Sequence, residues 1–274
     1  MCATMNFLGK EFKDRPIFVA EIGAKFESYE HLLETVLAAK EAGADFAKIQ
    51  YYTAEDLVQD NGFEWEGKNL LQVYKESEFP REWLAGLFNF GEANGIPVFS
   101  SVYSLRGLVD LEYEMCPAYK ISSFENENKR LLEAVDAINK PWIMSTGMLQ
   151  DHPLNQVTWI VNPDILLHCV SKYPCPLREA DLSRISRLKD KYPAVGYSDH
   201  TTTTLSAMYA TILGACMIEK HFALKSSEFT FSPFDFKLMI ECCLDALEAM
   251  KDHDEGSELY QIKAERMLGK QGVE

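Results

Sequence analysis

The feature that most constrains this chain is an alternation, sustained from one end to the other, of short apolar runs with longer amphipathic stretches. The apolar runs read as strands at Ile17–Ile22, Asp45–Tyr51, Pro97–Ser101, Ala118–Ile121, Trp142–Thr146, Ile165–Val170, Ala194–Ser198 and Met217–Lys220. Helical patterns lie between them at Tyr29–Ala42, Arg81–Ala93, Leu105–Tyr113, Asn128–Ile138, Ala180–Lys191, Thr202–Leu213 and Pro233–Met250, with a weaker one near Pro153–Val161. Strand and helix in strict turn, with no run of strands alone, point to parallel β/α units. Eight such units predict a closed (β/α)8 TIM barrel rather than an open sheet.

Punctuation at the junctions agrees. EAGADFAKI and EANGIPVFS put glycine between a helix and a strand, where a helix end needs it. Thr201 and Thr202 are expected to cap the helix after the seventh strand. The stretch from Ala54 to Lys75 is a long second loop with an extra helical turn in NLLQVYKESEF. Nothing resembles a linker, so residues 1–274 are expected to form one barrel domain, with 255–274 a charged helical tail. That length suits a single β/α barrel of about 250 residues.

Composition removes several function classes. The formal net charge is −15 and the cations are scattered singly, so the basic stripe that phosphate backbones require is missing. No apolar run approaches the ~18 residues of a membrane span, and MCATMNFLGKEF has no signal-peptide core. The seven cysteines are odd in number and show no CxxC spacing, so they are expected to be buried small hydrophobes in a reducing, cytoplasmic compartment.

The polar residues gather at strand ends, which in a β/α barrel form the active face. Strand one ends in Glu21, strand two carries Lys48 and Gln50, strand three Ser100 and Ser101, and strand four Lys120, Ser123 and Glu125. Strand five ends STG, strand six offers His168, Ser171 and Tyr173, strand seven Ser198, Asp199 and His200, and strand eight reads IEKHF. On this reading Lys48, Lys120 and Lys220 converge at the mouth opposite Glu21, Glu125 and Glu219. The pattern suits either a structural ion-pair belt or a site for an anionic ligand, and its recurrence on every strand favours the ligand. His200 and His221 could hold a divalent metal or form a hydrogen-bonded core pair. His168, inside an apolar strand, reads as a core histidine, and STG as a tight turn.

Together AEIG, GADFAKIQ, PREW, PVFSS, PAYKISS, KPWIMSTGM, LLHCVSKYP, GYSDHT and IEKHF resemble the sialic acid synthase family, in order from Phe18 to Leu224. SDHT followed by EKHF is the most specific part. The resemblance implies a barrel enzyme that condenses phosphoenolpyruvate with an N-acetylhexosamine aldehyde such as N-acetylmannosamine and releases phosphate. It implies manganese or magnesium on His200 and His221. Lys48, Ser101, Lys120, Ser123, Ser171 and Ser198 would bind phosphoenolpyruvate, Gln50 and Tyr173 the sugar, and Glu21, Glu125 and Glu219 would be the acid/base and orienting groups.

Ser101 stands where the family often has threonine, and Ser171 where asparagine is common. Three departures fall on the sugar side. Ala24–Ser28 reads AKFES instead of an Asn-His-Asn-Gly type loop. The loop ALKSSEFTFSP is shorter than usual, with Glu228 a stand-in for a missing aspartate. The antifreeze-protein-like domain that reaches across the family's dimer is not expected here, which leaves a homodimer through a barrel end open. Two other readings of the site are a non-catalytic scaffold that keeps the anion and metal sites, and a Schiff-base aldolase through Lys120 or Lys220.

Overall fold

Eight strands form the centre of the molecule: β1 (Ile17–Gly23), β2 (Phe46–Tyr51), β3 (Val98–Val102), β4 (Tyr119–Ile121), β5 (Trp142–Ser145), β6 (Ile165–His168), β7 (Val195–Asp199) and β8 (Met217–His221). The computed structural model describes residues 5–59, 62–65, 67–251, 261–263 and 265–267. Each strand pairs in parallel with its sequence neighbour, and β8 returns to β1, so the sheet closes into the expected (β/α)8 barrel. The strands are continuous apolar runs because both faces are covered, one by the barrel interior and one by helices. All five residues of β3 and of β7 are buried.

The outer layer is α1 (Tyr29–Glu41), α2 (Leu84–Ala93), α3 (Leu105–Tyr113), α4 (Lys129–Ala137), α5 (Asp151–Thr158), α6 (Ser183–Lys189), α7 (Leu205–Ile212) and α8 (Pro233–Ala249). Local chemistry sets their ends. Ser28 caps α1 by accepting from the His31 N–H, and Ser232 with Asp235 forms a reciprocal capping box on α8. Gly43 lies at φ 98° just past α1, where its N–H reaches Lys40 O and the next N–H reaches Ala39 O. Gly95 does the same after α2. These paired bonds satisfy carbonyls the helix leaves open, and only glycine adopts the required left-handed conformation without cost.

One local expectation is corrected. The helix after β7 starts at Leu205, and neither Thr201 nor Thr202 caps it. Instead the Thr201 hydroxyl is taken up inside the loop, by Ser206 Oγ at 2.6 Å and Thr203 O. A hairpin of Met5–Phe7 and Lys10–Phe12 precedes the barrel, and a two-residue pairing, Glu64–Trp65 with Lys68–Asn69, lies in the second loop before a helical turn at Leu70–Lys75. Strands of two or three residues are too short to show periodicity. The hairpin has a packing role: Phe7 meets Phe46, at the start of β2, edge-on at 5.3 Å and Phe99 at 5.9 Å. Of the tail expected as a helix, residues 261–263 and 265–267 are helical and the remainder lies outside the described residues.

Candidate active site

Successive strand residues point to opposite faces, and that rule distributes the ionisable groups. On β8, Glu219 and His221 line the interior cavity, while Lys220 turns outward toward the helices. On β7 and just past its end, Ser198 and His200 line the cavity and Asp199 turns outward. Across strands, Ser198 pairs with Glu219, and Glu21 pairs with both His221 and Lys48. The result is a cavity of about 640 Å³ at the C-terminal end of the barrel. It is lined by Glu21, Lys48, Gln50, Ser101, Lys120, Ser123, Glu125, Tyr173, Ser198, His200, Glu219 and His221.

Two expectations fail. Lys220 is not at the mouth: it is fully buried behind the sheet, bound to Asp199 Oδ2 at 3.0 Å and to Thr201 O. It therefore cannot serve as a Schiff-base lysine in this cavity. Glu228 is exposed and is not among the lining residues.

The cavity floor is a buried charge lattice. Lys48 contacts Glu21, donates to Ser101 Oγ at 2.8 Å and lies 3.9 Å from Glu219 Oε2. Lys120 donates to Glu219 Oε1 at 2.8 Å, and Ser198 Oγ donates to the same oxygen at 2.9 Å. Glu21 Oε1 also accepts from the Gly23 N–H and from Gln50. Two ammonium groups and two carboxylates alternate, so neither sign stands uncompensated in a low dielectric.

Titration follows from this packing. Burial pushes the Lys48 ammonium down to about 7, with Glu219 drawing it up and Lys120 pushing it down. For Glu219, burial acts upward, but Lys120 and Lys48 and the hydrogen bonds outweigh it and hold the carboxyl well below its usual range. Glu125 behaves oppositely: burial raises its carboxyl to about 7 against the Ser122 hydrogen bond and Lys120. One floor carboxyl is thus fixed as an anion, while one near the rim is poised to exchange a proton.

The two histidines sit together, ring centres 5.6 Å apart. His200 Nδ1 lies 2.7 Å from Val170 O, which can only accept, so Nδ1 carries the proton and Nε2 keeps its lone pair. Burial pushes His200 down to about 4 and His221 well below the usual imidazole value. Both are neutral at pH 7, the form that ligates a metal, and a carbonyl fixing the far nitrogen is the usual support for a ligating histidine. Among the described residues no group of three or more His, Cys, Asp and Glu side chains is placed to hold a metal ion. The donor set that fits a divalent ion is therefore two imidazoles with the other positions left to water and substrate. Tyr173 packs on His200 at 4.2 Å, and Phe229 on His221 at 5.4 Å, shielding this side.

Ser171 is likewise outside the lining. Its hydroxyl lies behind the STG turn, where a Cβ on Gly147 would fall 2.5 Å from Ser171 Oγ and 2.7 Å from Ser123 Oγ. Ser123 Oγ accepts the Gly147 N–H at 3.1 Å. His168 is, as read, a core residue, with Nε2 on Ala180 O at 2.8 Å and its ring stacked on Tyr197. Sequence reasoning missed an aromatic wall of Tyr52, Tyr74 and Tyr103, in which Tyr52 meets Tyr74 at 5.7 Å and Tyr103 at 5.5 Å. Tyr74 belongs to the long second loop, while Tyr52 and Tyr103 directly follow β2 and β3, so no local sequence signal joins them.

Comparison with known proteins gives the same picture from outside. The profile of the NeuB family matches residues 35–255. A pseudaminic acid synthase of Helicobacter pylori is 36% identical over 261 residues, covering 87% of this chain and 76% of that protein. A pseudaminic acid synthase of Campylobacter jejuni is 33% identical, over 89% of this chain and 78% of that protein. Among solved structures, a sialic acid synthetase of Leptospira borgpetersenii superposes with a TM-score of 0.84 at 23% identity, covering all of this chain and 98% of the other, a likeness of fold. The spore coat polysaccharide biosynthesis protein SpsE of Bacillus subtilis superposes with a TM-score of 0.78 at 27% identity, over 92% of this chain and 76% of the other.

Proposed function

The chain belongs to the NeuB family, and from that premise we propose that it joins phosphoenolpyruvate to the aldehyde of an N-acylated hexosamine, giving a nonulosonic acid and phosphate. The observation that carries this is the shared cavity: two lysines braced by Glu21 and Glu219 lie beside two neutral imidazoles. A substrate that carries both a carboxylate and a phosphate needs cationic partners, and an aldehyde needs electrophilic activation; this cavity holds groups suited to both.

Lys48 and Lys120, with Ser101, Ser123 and Ser198, hold the carboxylate and phosphate of phosphoenolpyruvate, and Ser171 packs against the Gly147 turn behind them. Gln50 and Tyr173 face the sugar. A divalent cation, manganese or magnesium, held by His200 and His221 would supply Lewis-acid polarisation of the aldehyde. C3 of phosphoenolpyruvate attacks the aldehyde carbon, a C–C bond forms, and the aldehyde oxygen takes up a proton. Positive charge then develops at C2, where Glu21 and Glu219 stabilise it. Water adds at C2 with Glu125 taking its proton, the C2–O bond of the tetrahedral intermediate breaks, and phosphate leaves with the bridging oxygen.

The test is phosphate release from phosphoenolpyruvate with manganese over a panel of aldehyde sugars that includes N-acetylmannosamine, beside His221→Ala. Release with one N-acylated sugar, lost in the variant, is the expected result. Reductive trapping of Lys120 by borohydride in the presence of a substrate, without any metal requirement, would instead make the protein a Schiff-base aldolase.

A further inference from the structure

The motifs YSDHT and IEKHF each place a charged residue directly before a histidine, and the cavity uses neither Asp199 nor Lys220. Both are fully buried on the outer face of the sheet, paired at 3.0 Å, and their α-carbons are register partners across β7 and β8. A buried ion pair is weak evidence of stabilisation, because desolvation offsets its attraction. Its connections indicate another use.

Asp199 is saturated. Oδ1 accepts from the Thr201 N–H at 2.8 Å and from the Tyr197 hydroxyl at 3.2 Å. Oδ2 accepts from Lys220 at 3.0 Å and from Ser206 at 2.8 Å. Lys220 makes three contacts, and each bears on the backbone of a cavity histidine. It binds the side chain of the residue before His200 and the carbonyl of Thr201, the residue after it. Its ammonium also lies 4.2 Å from the ring centre of Phe231, whose N–H donates to the carbonyl of His221 at 2.8 Å. The backbone of His200 is also held from the loop after β6, where the Cys175 N–H donates to His200 O at 2.8 Å.

We infer that Asp199 and Lys220 are a positioning pair: a clamp on the outer face of β7 and β8 that fixes the separation of His200 and His221 on the inner face, and so the affinity for the divalent cation. The inference rests on the reading of those histidines as cation ligands. The pair spans the junction of the two strands at the residues adjoining both imidazoles, so loosening it frees both rings at once. Phosphoenolpyruvate binding, which depends on Lys48 and Lys120, is left largely intact.

The test is direct titration of manganese into the full-length protein by calorimetry, with circular dichroism confirming the fold at the working temperature. The wild type is compared with Lys220→Met, Asp199→Asn/Lys220→Met, His221→Ala and Phe7→Ala. The last packs on Phe46 and Phe99 away from the cavity and reports general destabilisation. The clamp predicts that Lys220→Met weakens manganese binding by about ten- to a hundred-fold, the range of support residues behind metal ligands. The KM for phosphoenolpyruvate is expected to stay within about two-fold, and Phe7→Ala to keep wild-type metal affinity. Should Lys220→Met not fold, the double variant, which buries no charge at either position, is expected to fold with the same loss. Wild-type affinity in a folded clamp variant, or an equal loss in Phe7→Ala, overturns the clamp. A wild-type protein that binds no manganese, or an unchanged His221→Ala, overturns the ligand reading and the clamp with it.

Discussion

Lys120→Met is the perturbation whose consequences the cavity floor defines most closely. Lys120 and Glu219 are each about one-twentieth exposed, with Nζ 2.8 Å from Oε1. Removing the ammonium leaves Glu219 with Ser198 and a more distant Lys48 at 3.9 Å. Breaking one partner of such a pair costs about 3–5 kcal/mol, because the remaining charge stays buried without compensation. With a urea m-value of about 2–3 kcal/mol/M, the unfolding midpoint falls by about 1–2 M. The sign with pH also follows. Lys120 and Lys48 hold the Glu219 carboxyl below its unfolded value of 4.5. The stability this contributes is present above that pH and is lost as pH falls toward the folded value. The gap between wild type and Lys120→Met therefore narrows as pH drops below about 4.5. The assay is urea unfolding at pH 7.5 and at pH 4, together with phosphoenolpyruvate binding by calorimetry, which should weaken by at least about ten-fold on loss of a charged contact. A variant as stable as the wild type at pH 7.5, or with unchanged binding, refutes the reasoning.

Burial holds the Glu125 carboxyl at about 7 against 4.5 in the unfolded chain, so the native state binds more protons between those values and its stability falls as pH rises through them. Glu125→Gln should lose both that slope and the break near pH 7 in kcat/KM, measured by denaturation and by phosphate release. Gly147→Ala would set a methyl within 2.5 Å of Ser171 Oγ and 2.7 Å of Ser123 Oγ; crowding of about 1–3 kcal/mol should appear as a raised KM for phosphoenolpyruvate with little change in fold by circular dichroism. Phe7→Ala should destabilise by about 3–5 kcal/mol in urea, while kcat is unchanged, since the hairpin packs at the far end from the cavity.

How much of this was legible in the sequence depends on where the determining interaction lies. The barrel was, because a strand buried on both faces is a largely apolar run, and the apolar stretches that open IFVAEIG and ILLH carry their own evidence. Most of the polar lining residues were too, because parallel β/α units put every strand's C-terminal end on one face. IEKHF posed a question that composition alone does not answer. A strand must split Glu219, Lys220 and His221 two to one between its faces. The same parity on the neighbouring strand sends Asp199 outward with Lys220, and that partner was the available signal. The aromatic wall of Tyr52, Tyr74 and Tyr103 depends on how loops after different strands meet, and the hairpin on two phenylalanines finding Phe46 and Phe99. No local pattern encodes either contact.

The proposed reaction makes a carbon–carbon bond to phosphoenolpyruvate in this cavity and expels phosphate from C2. It is tested most directly by running the manganese-loaded reaction with an N-acylated hexosamine in water labelled with oxygen-18 and weighing both products. The expected product is a sugar acid with the combined mass of acceptor and pyruvate plus the oxygen-18 label taken up from water at C2, formed in equal amount to phosphate that carries no solvent oxygen. Labelled phosphate with free pyruvate and unchanged sugar would mean attack of water at phosphorus, and would contradict it.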